Sequence, residues 1–490
     1  MRLAAALVCC ALSMSPSAAR AQQGPATGEA VKPKKAKKDD QTAGKKDKKG
    51  KKAKKSKKDT PAPDETIDPQ TDAASKGARL AWKQHPSFRV GSWFRLDYDM
   101  KVQEDGRAAY EGIRSCTDAT PTNCFVPWEV HRSRVGISGY ATKKIEYEVE
   151  YELREKELTE KDIKNGVTPK SQWKDANLNF TYFNNAQVRV GKFKIPFSLD
   201  ELTGITHNDF IFRSLGATYL APAHDIGVMV HGRFFKRGLN YWAGGFRHDG
   251  DNAQSKKIRG GDETLAGRLT GAPLRAAGET LGNLQVGTSF TISKLSDDSF
   301  RPNGLRGRTI LTQDYFWEPL YVKGNRRRWG VDGDWSAGPV SARAEYTLQL
   351  DTRNGQGLGG EDLPDARARA WYASATWLLT GESKKRPVAP DNDFLQGGFG
   401  AIELAARVER IWFDSLGSGA VYRSPRAEFV QPEGDRAVTL GLNWTLNRFT
   451  KVQFNAIREQ LENRTLNAAL PEGFPAGAFW SRLVRFQLVI

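Results

Sequence analysis

The chain has 490 residues, and its 74 Lys and Arg residues against 57 Asp and Glu residues give a formal charge of +17. After residue 21 no run approaches the roughly 18–20 consecutive apolar residues that a membrane-spanning helix needs, which excludes a helical membrane protein. Four Cys residues argue against a redox or zinc scaffold. The 13 Trp, 13 Tyr, 24 Phe and 47 Gly residues are instead typical of a transmembrane β-barrel with a polar lumen.

The first 21 residues have the pattern of an export signal. Arg2 gives a basic start, the run from Leu3 to Leu12 is apolar, and Ala19 and Ala21 flank a small-x-small cleavage site. The sequence therefore predicts that residues 1–21 are a signal peptide. We expect the mature chain to start at Gln22.

Residues 22–78 form a segment of different composition. Fifteen Lys residues lie between Lys32 and Lys58 with no aromatic residue among them, and such a segment cannot bury enough apolar surface to offset its chain entropy. The sequence predicts a disordered Lys-rich periplasmic tail and linker. The tail would bind an anionic envelope polymer or anionic lipid. The alternative is that the tail is a solvated spacer without a partner. Export makes a nucleic-acid partner unexpected.

Two Cys residues remain after the predicted cleavage. Cys116 and Cys124 would enter an oxidising compartment, and their spacing predicts a local disulfide that closes a loop. The alternative is two unpaired thiols.

From Phe88 onward the hydrophobic pattern has a period of two, as in strands with one apolar face. In residues 340–351, for example, one face carries the apolar side chains and the other carries Arg343 and Glu345. A soluble antiparallel sandwich also alternates in this way. Aromatic residues at the ends of the apolar faces, and connections that alternate in length, favour the barrel. We predict sixteen strands near 88–100, 130–140, 144–155, 174–184, 186–194, 225–235, 239–247, 263–270, 284–293, 326–337, 340–350, 367–380, 399–413, 435–447, 449–460 and 479–490.

The predicted fold class is therefore all-β, a transmembrane antiparallel β-barrel of about 16 strands over residues 79–490. Every backbone N–H and C=O group in lipid must be paired, which requires a closed sheet. Short turns at 141–143, 184–185, 236–238, 337–339 and 447–448 alternate with long polar loops. Two links, 271–283 and 381–398, are long where a short turn is expected. An even strand number places both chain ends in the periplasm and the barrel in the outer membrane.

Four stretches resemble the phosphate-selective porin O and P family in content, order and spacing. They are VGKFKIPFS at 190–198, WLLTGES at 377–383, GAIELAAR at 400–407 and LGLNWTLN at 440–447. The resemblance covers about 80–490 and implies a homotrimer of sixteen-stranded barrels, with a long third loop folded inward at about 195–224. It also implies a basic residue in that loop, and Arg213 is the best match. The family's Glu before this Arg is absent here, and its Ser-rich part reads Thr203-Gly204-Ile205-Thr206.

Placing each apolar face outward assigns the charges of the lumen. Arg guanidinium groups bind phosphate oxygens bidentately, so inward-facing Arg residues could pass small anions from site to site. Alternatively, they pair with lumen carboxylates such as Glu146, Glu148, Glu150 and Glu152 and only stiffen the wall. The predicted pore and anion-binding residues are Arg213, Arg189, Lys192, Lys194, Arg132, Arg134, Arg233, Arg268, Arg343 and Arg407.

An enzyme is not expected. No Gly-x-Ser-x-Gly element is present, and the six His residues lack metal-ligand spacing. Residues 355–360 match Gly-x-Gly-x-x-Gly by letter but run into Pro364 rather than a helix, so no cofactor is predicted. The sequence thus predicts an outer-membrane porin for passive diffusion of small anions such as phosphate. The alternatives are a weakly selective general porin and a structural tether between the barrel and the cell wall.

Overall fold

The computed structural model describes residues 78–82, 85–110, 126–154, 172–235, 238–251, 263–295, 305, 307–317, 320–422, 424–463, 470 and 474–490. The predicted signal peptide, the Lys-rich tail and the predicted Cys116–Cys124 disulfide lie outside these residues. None of the helices in the described part of the chain is long and apolar enough to cross a membrane.

Twenty-two strands make up most of the described chain. In order they are β1 Ala78–Trp82, β2 Pro86–Val90, β3 Phe94–Ala108, β4 Trp128–Ala141, β5 Ile145–Glu152, β6 Trp173–Phe183, β7 Ala186–Lys194, β8 His224–Phe234, β9 Leu239–Phe246, β10 Thr264–Gly271, β11 Gln285–Leu295, β12 Gly307–Arg308, β13 Tyr315–Trp317, β14 Gly324–Ala337, β15 Val340–Arg353, β16 Leu363–Leu378, β17 Ala401–Ser415, β18 Val421–Tyr422, β19 Phe429–Val430, β20 Glu433–Thr445, β21 Thr450–Leu461 and β22 Phe479–Val489. Three short helices are α1 Leu199–Leu202, α2 Leu215–Tyr219 and α3 Gly278–Leu281, and Ile205–His207 forms a 3₁₀ turn.

Sixteen of these strands close into one antiparallel barrel. The ring runs from β3 to β11, continues through β14 to β17 and β20 to β22, and closes where β22 pairs with β3. At the closure Ile490 N donates to Met100 O at 2.9 Å and Met100 N donates to Ile490 O at 3.0 Å. The closed ring satisfies the pairing that lipid imposes on the backbone. The predicted sixteen-stranded barrel is confirmed.

The first predicted strand, 88–100, was wrong. Its residues form two antiparallel strands, β2 and β3, joined by a turn in which Gly91 has φ +53°. Arg89 faces Arg95 across this hairpin, and the two residues are six apart. Because this separation is even, the period of two continues through the turn and conceals it. Arg89 therefore lies outside the closed ring, on an extension formed by β1 and β2.

The barrel separates an apolar outer face from a polar lumen. Along β20, Val438, Leu440 and Leu442 are exposed on the outside, while Thr439 and Asn443 are buried on the inside. The exposure of these side chains thus confirms the outward faces that the period of two predicts. At one end of the barrel, here called the long-loop end, the connections are mostly long. At the other, the short-turn end, they are mostly short, apart from the links 272–284 and 379–400.

An apolar core also lies inside the barrel. Loop residues Ile211, Leu215 and Leu220 pack with Phe316 and Phe413, and the Trp317 and Phe413 rings stack at 4.4 Å. This packing fills the lumen beside β16, β17 and β20 at the long-loop end.

Candidate functional site

The segment that joins β7 to β8, residues 195–223, folds into the lumen and is called the inward loop. It contains α1, the 3₁₀ turn and α2. Ser198 and Ser214 cap the two helices, because their hydroxyls accept from the backbone N–H groups of Glu201 and Ala217.

One side of the lumen holds the backbone of the inward loop. Arg485 Nη1 donates to Ile211 O at 2.7 Å, and Arg407 Nη1 donates to Phe212 O at 3.0 Å. In the other direction, the Glu409 carboxylate accepts from Leu215 N at 2.6 Å. Strands β15, β17, β20, β21 and β22 supply these and similar contacts and are called the packed wall. Further contacts of this kind come from Glu345, Asn443, Lys451, Gln453, Asn455 and Gln487.

A second anchor reaches the inward loop from the short-turn end. The link 379–400 carries Lys384, whose side chain is fully buried and whose Nζ lies 2.6 Å from Asp209 Oδ1 of the loop. The same ammonium contacts Glu403 on β17. Arg386 Nη2 lies 3.2 Å from the other Asp209 oxygen. Burial alone would raise the pKa of Asp209, but Lys384 and Arg386 outweigh it and hold the pKa below its usual value.

Arg213 lies on the loop and extends away from these anchors. Its Nε lies 3.1 Å from Glu201 Oε2, and its Nη2 donates to Thr203 O at 2.7 Å. Its Nη1 is buried and has no hydrogen-bond partner among the described residues. Lys194, at the end of β7, shares the same carboxylate, with Nζ 3.5 Å from Glu201 Oε1. One carboxylate thus serves two cations.

The opposite side of the lumen, β4 to β7, is called the open wall. Arg134 donates to Glu150 at 2.6 Å and to Glu152 at 2.8 Å, whereas Arg132 donates to the neutral Gln103 at 3.0 Å. Glu148 lies on the lumen face but is exposed to solvent, as is Gly204 on the inward loop. Water therefore reaches the space between the inward loop and the open wall.

Four cations face this space from both sides. Arg132 experiences the positive charges of Arg134 and Arg213, and Lys194 experiences those of Arg213 and Arg134. Burial alone would raise the pKa of Glu201, yet Arg213 and Lys194 lower it, so the one carboxylate between them stays ionised at neutral pH. The four are called the basic cluster: Arg132, Arg134, Lys194 and Arg213.

The other predicted pore residues lie elsewhere. Arg407 is bound to Glu409 and the inward loop, Arg268 makes a bidentate pair with Asp332 at 2.7 and 2.8 Å, and Arg343 pairs with Asp334 at 2.8 Å. These three contacts match the alternative in which Arg residues stiffen the wall.

Three further predicted residues lie on β7 and β8. Arg189 is on the lumen face opposite Asn179, 5.8 Å from the Phe193 ring. Lys192 pairs with Asp251 at 3.1 Å towards the long-loop end. Arg233 is half-buried near the short-turn end of β8.

Sequence reasoning missed the anchors Lys384, Arg386, Lys451 and Arg485. The unusual length of the link 379–400 was the available signal for the first two. The period of two places Arg485 on the lumen face of β22, but its bidentate pair with Asp105, at 2.6 Å for both bonds, joins strands at opposite ends of the sequence.

One trio of side chains has the proximity of metal ligands. Atoms of Asp105, Glu129 and His131 all lie within 4.8 Å of one another. Both carboxylates are already paired, Asp105 with Arg485 and Glu129 with Arg107 at 2.8 Å. The trio is therefore part of an ion-pair network.

Comparisons with known proteins agree with this architecture. Residues 117–474 match the family described as phosphate-selective porin O and P. The chain belongs to this family. Porin O of Pseudomonas aeruginosa is 22% identical over 438 residues, which cover 79% of this chain and 86% of that protein. Membership identifies the chain as an outer-membrane channel protein rather than an enzyme.

Solved porins are similar in structure. An anion-selective porin from Comamonas acidovorans is 12% identical with a TM-score of 0.48, covering 81% of this chain and 99% of that one. The outer membrane channel DcaP of Acinetobacter baumannii is 9% identical with a TM-score of 0.49, covering 82% of this chain and 99% of that one. Both TM-scores lie below 0.5, and the barrel is established by the strand pairing of the chain itself.

Proposed function

We propose that this porin passes small anions such as phosphate by passive diffusion between the inward loop and the open wall, and that the basic cluster selects them. The observation that carries the proposal is the Nη1 group of Arg213. It is buried and lacks an acceptor among the described residues, at a place where one carboxylate, Glu201, serves two cations. A phosphate oxygen accepts a charge-assisted hydrogen bond from a guanidinium N–H, and such a bond is stronger than one between neutral groups.

The neighbouring cations support an anion-binding site at Arg213. Arg132 contacts a neutral amide rather than a carboxylate, so its positive charge is not cancelled by a direct ion pair among the described residues. A water-filled space with low-dielectric walls focuses that charge on a passing solute. An anion would therefore lose part of its water shell to Arg132 and Arg213 together.

Acidic residues nearby keep the binding weak enough for transport. Arg134 is neutralised by Glu150 and Glu152, and the exposed Glu148 repels anions beside them. Conduction requires a site that an ion enters readily and also leaves readily. If the Glu row dominated the potential, the pore would be a weakly selective or cation-preferring porin.

The test is single-channel recording in planar bilayers, with reversal potentials in a KCl gradient and phosphate added as a blocker. We expect an anion-signed reversal potential and phosphate block. Arg213→Ala should weaken the block about tenfold, as for the loss of one charge-assisted hydrogen bond worth ~1.5 kcal/mol. Arg448→Ala, which removes an exposed charge in the turn after β20, is the matched control.

Two outcomes would overturn the proposal. A cation-signed potential in the unmodified protein would mean that the Glu146–Glu152 row determines selectivity. Equal phosphate block in Arg213→Ala and in Arg448→Ala would mean that anions do not bind at the inward loop.

A further inference from the structure

A group of Arg residues faces outward from the barrel, away from the pore. On β17, Arg407 and Glu409 face the lumen, so the alternate residue Arg410 faces the membrane side. On β20 the buried Asp435 and Ala437 likewise leave Arg436 on the outside. The same alternation on the other strands from β14 to β22 completes a set called the basic arc. Its members are Arg327, Arg367, Arg369, Arg410, Arg436, Arg458 and Arg482.

Every member of the basic arc lies within six residues of the long-loop end of its strand. Arg410 is directly opposite Arg436 on the neighbouring strand, and Arg458 is opposite Val438, two residue positions nearer the short-turn end. Immediately towards the short-turn end, the outward positions are apolar and exposed, such as Val408, Leu440 and Phe454. The arc therefore borders the apolar band, at the depth where lipid headgroups lie.

Two carboxylates organise four of these Arg residues in the same way. Asp414 accepts two bonds of 2.8 Å from Arg367 and one of 2.6 Å from Arg369. Likewise, Glu462 accepts bonds of 2.7 and 2.8 Å from Arg410 and one of 2.6 Å from Arg436. Each trio has two cations and one anion, so it retains a net positive charge.

An aromatic residue fixes the arc at the membrane interface. The Trp412 ring lies between Arg410, at 4.4 Å, and Arg369, at 4.8 Å. Trp side chains prefer the headgroup level of a bilayer, and cation–π contacts hold guanidinium groups against the ring. The trios are thus pre-ordered rather than freely rotating.

The opposite side of the outer wall has no such group among its described residues. At the long-loop ends of β4, β6, β8 and β10, the exposed outward side chains include Trp128, Trp173, Ile226 and Leu265. Two single cations, Arg247 after β9 and Lys294 on β11, are also exposed at this end. The positive charge is therefore concentrated in the basic arc, whereas general solubility of the rim would require similar charge on every side.

We propose that the basic arc is a binding surface for phosphorylated lipid headgroups of the outer leaflet, with a diphosphorylated glycolipid as its occupant. The positive excess of the trios complements phosphate, guanidinium forks match its oxygens, and the apolar band below receives the acyl chains. This surface is separate from the pore, and the proposal does not depend on which solute the pore passes.

The test is native mass spectrometry of the detergent-solubilised protein titrated with diphosphoryl lipid A. The variant combines Arg436→Gln with Arg458→Gln, which leaves Glu462 paired with Arg410. The matched control combines Arg275→Gln with Arg448→Gln, two exposed charges at the short-turn end. We expect lipid A affinity to fall about 10- to 30-fold in the variant, as for two basic residues at a charged lipid surface, and to change less than about twofold in the control. Dephosphorylated lipid A should bind the unmodified protein as weakly as diphosphoryl lipid A binds the variant.

Folding and conductance serve as internal checks. Both double variants should keep the heat-modifiable gel mobility of a folded barrel and an unchanged single-channel conductance, because neither substitution touches the lumen. Equal lipid A affinity in the variant and the control would overturn the proposal. A variant that changes the oligomeric state at unchanged lipid affinity would also overturn it, because the arc would then be a contact between copies of the chain.

Discussion

The packed wall and the open wall of the lumen both carry Arg and Lys residues, but the two sets have different partners. On the packed wall, Arg407 and Arg485 are almost fully buried, and their N–H groups end on carboxylates and on carbonyls of the inward loop. On the open wall, Arg132 donates to an amide beside a water-accessible space. The comparison teaches that a lumen Arg has a structural role when loop and carboxylate partners saturate it, and can bind solute when they do not.

The largest effect is expected from breaking the anchor at Lys384. Lys384→Met leaves the buried carboxylates of Asp209 and Glu403 without this cation, which should lower the free energy of unfolding by about 3–5 kcal/mol. Urea denaturation of the refolded protein in detergent measures this change in the free energy of unfolding. The adjacent Lys385 is exposed, so Lys385→Met should change stability by less than about 0.5 kcal/mol. Similar losses in both variants would show that Lys384 does not anchor the loop.

The two walls can be compared directly with one substitution in each. Arg407→Gln removes the donor to Phe212 O and leaves Glu409 with less compensation, so we expect a loss of about 2–3 kcal/mol in stability. Arg132→Gln should cost less than about 1 kcal/mol while reducing the anion-signed reversal potential. Stability and reversal potential are measured on both variants. The opposite distribution of effects would refute the division into packed and open walls.

A smaller effect should come from sharpening the basic cluster. Glu201→Gln removes the carboxylate that Arg213 and Lys194 share, and the pore should bind phosphate more tightly by ~1 kcal/mol, about fivefold. The concentration of phosphate that halves the single-channel current gives this value. Glu361→Gln in an exposed loop is the matched control. Weaker block in Glu201→Gln would mean that this carboxylate positions Arg213 more than it repels anions.

The last prediction concerns pH. Burial, with help from Lys451 and Lys101, lowers the pKa of His207 to about 4 from 6.5. The unfolded chain therefore takes up this proton first, so the native state should lose stability as the pH falls from 6.5 towards 4. His207→Gln should reduce that loss, which denaturation midpoints at pH 7 and pH 4.5 will show. An identical pH dependence in both proteins would mean that His207 is not titrating in this way.

Much of the fold follows from the sequence. Fifteen of the sixteen predicted strands coincide with ring strands to within four residues at each end. The period of two is a local property that does not depend on which strands become neighbours. The turn at Gly91 was not predicted from the sequence. The residues that face each other across it, such as Arg89 and Arg95, are six positions apart, so the hydrophobic alternation continues through the turn without a break.

The candidate site was less accessible to such reasoning. The alternation assigns Arg132, Arg268 and Arg407 to the lumen without distinguishing them. In the structure Arg132 donates to an amide and Arg268 to a carboxylate. Arg407 donates to both a carboxylate and a carbonyl of the inward loop. The pairing of Arg213 with Glu201 joins residues twelve positions apart, whereas the family resemblance implies a Glu directly before this Arg.

The sequence by itself determined that the chain forms a barrel of alternating strands, which side of each strand faces lipid, and that residues 195–224 are a loop with a basic residue. These features depend on periodicity and composition within short segments. The tertiary structure decided which cations are saturated, because partners such as Asp209 for Lys384 and Asp105 for Arg485 come from distant parts of the chain. It also placed Arg367 opposite Asp414 and Arg410 opposite Arg436 on the outside of the barrel, since the pairing register fixes which residues of neighbouring strands meet.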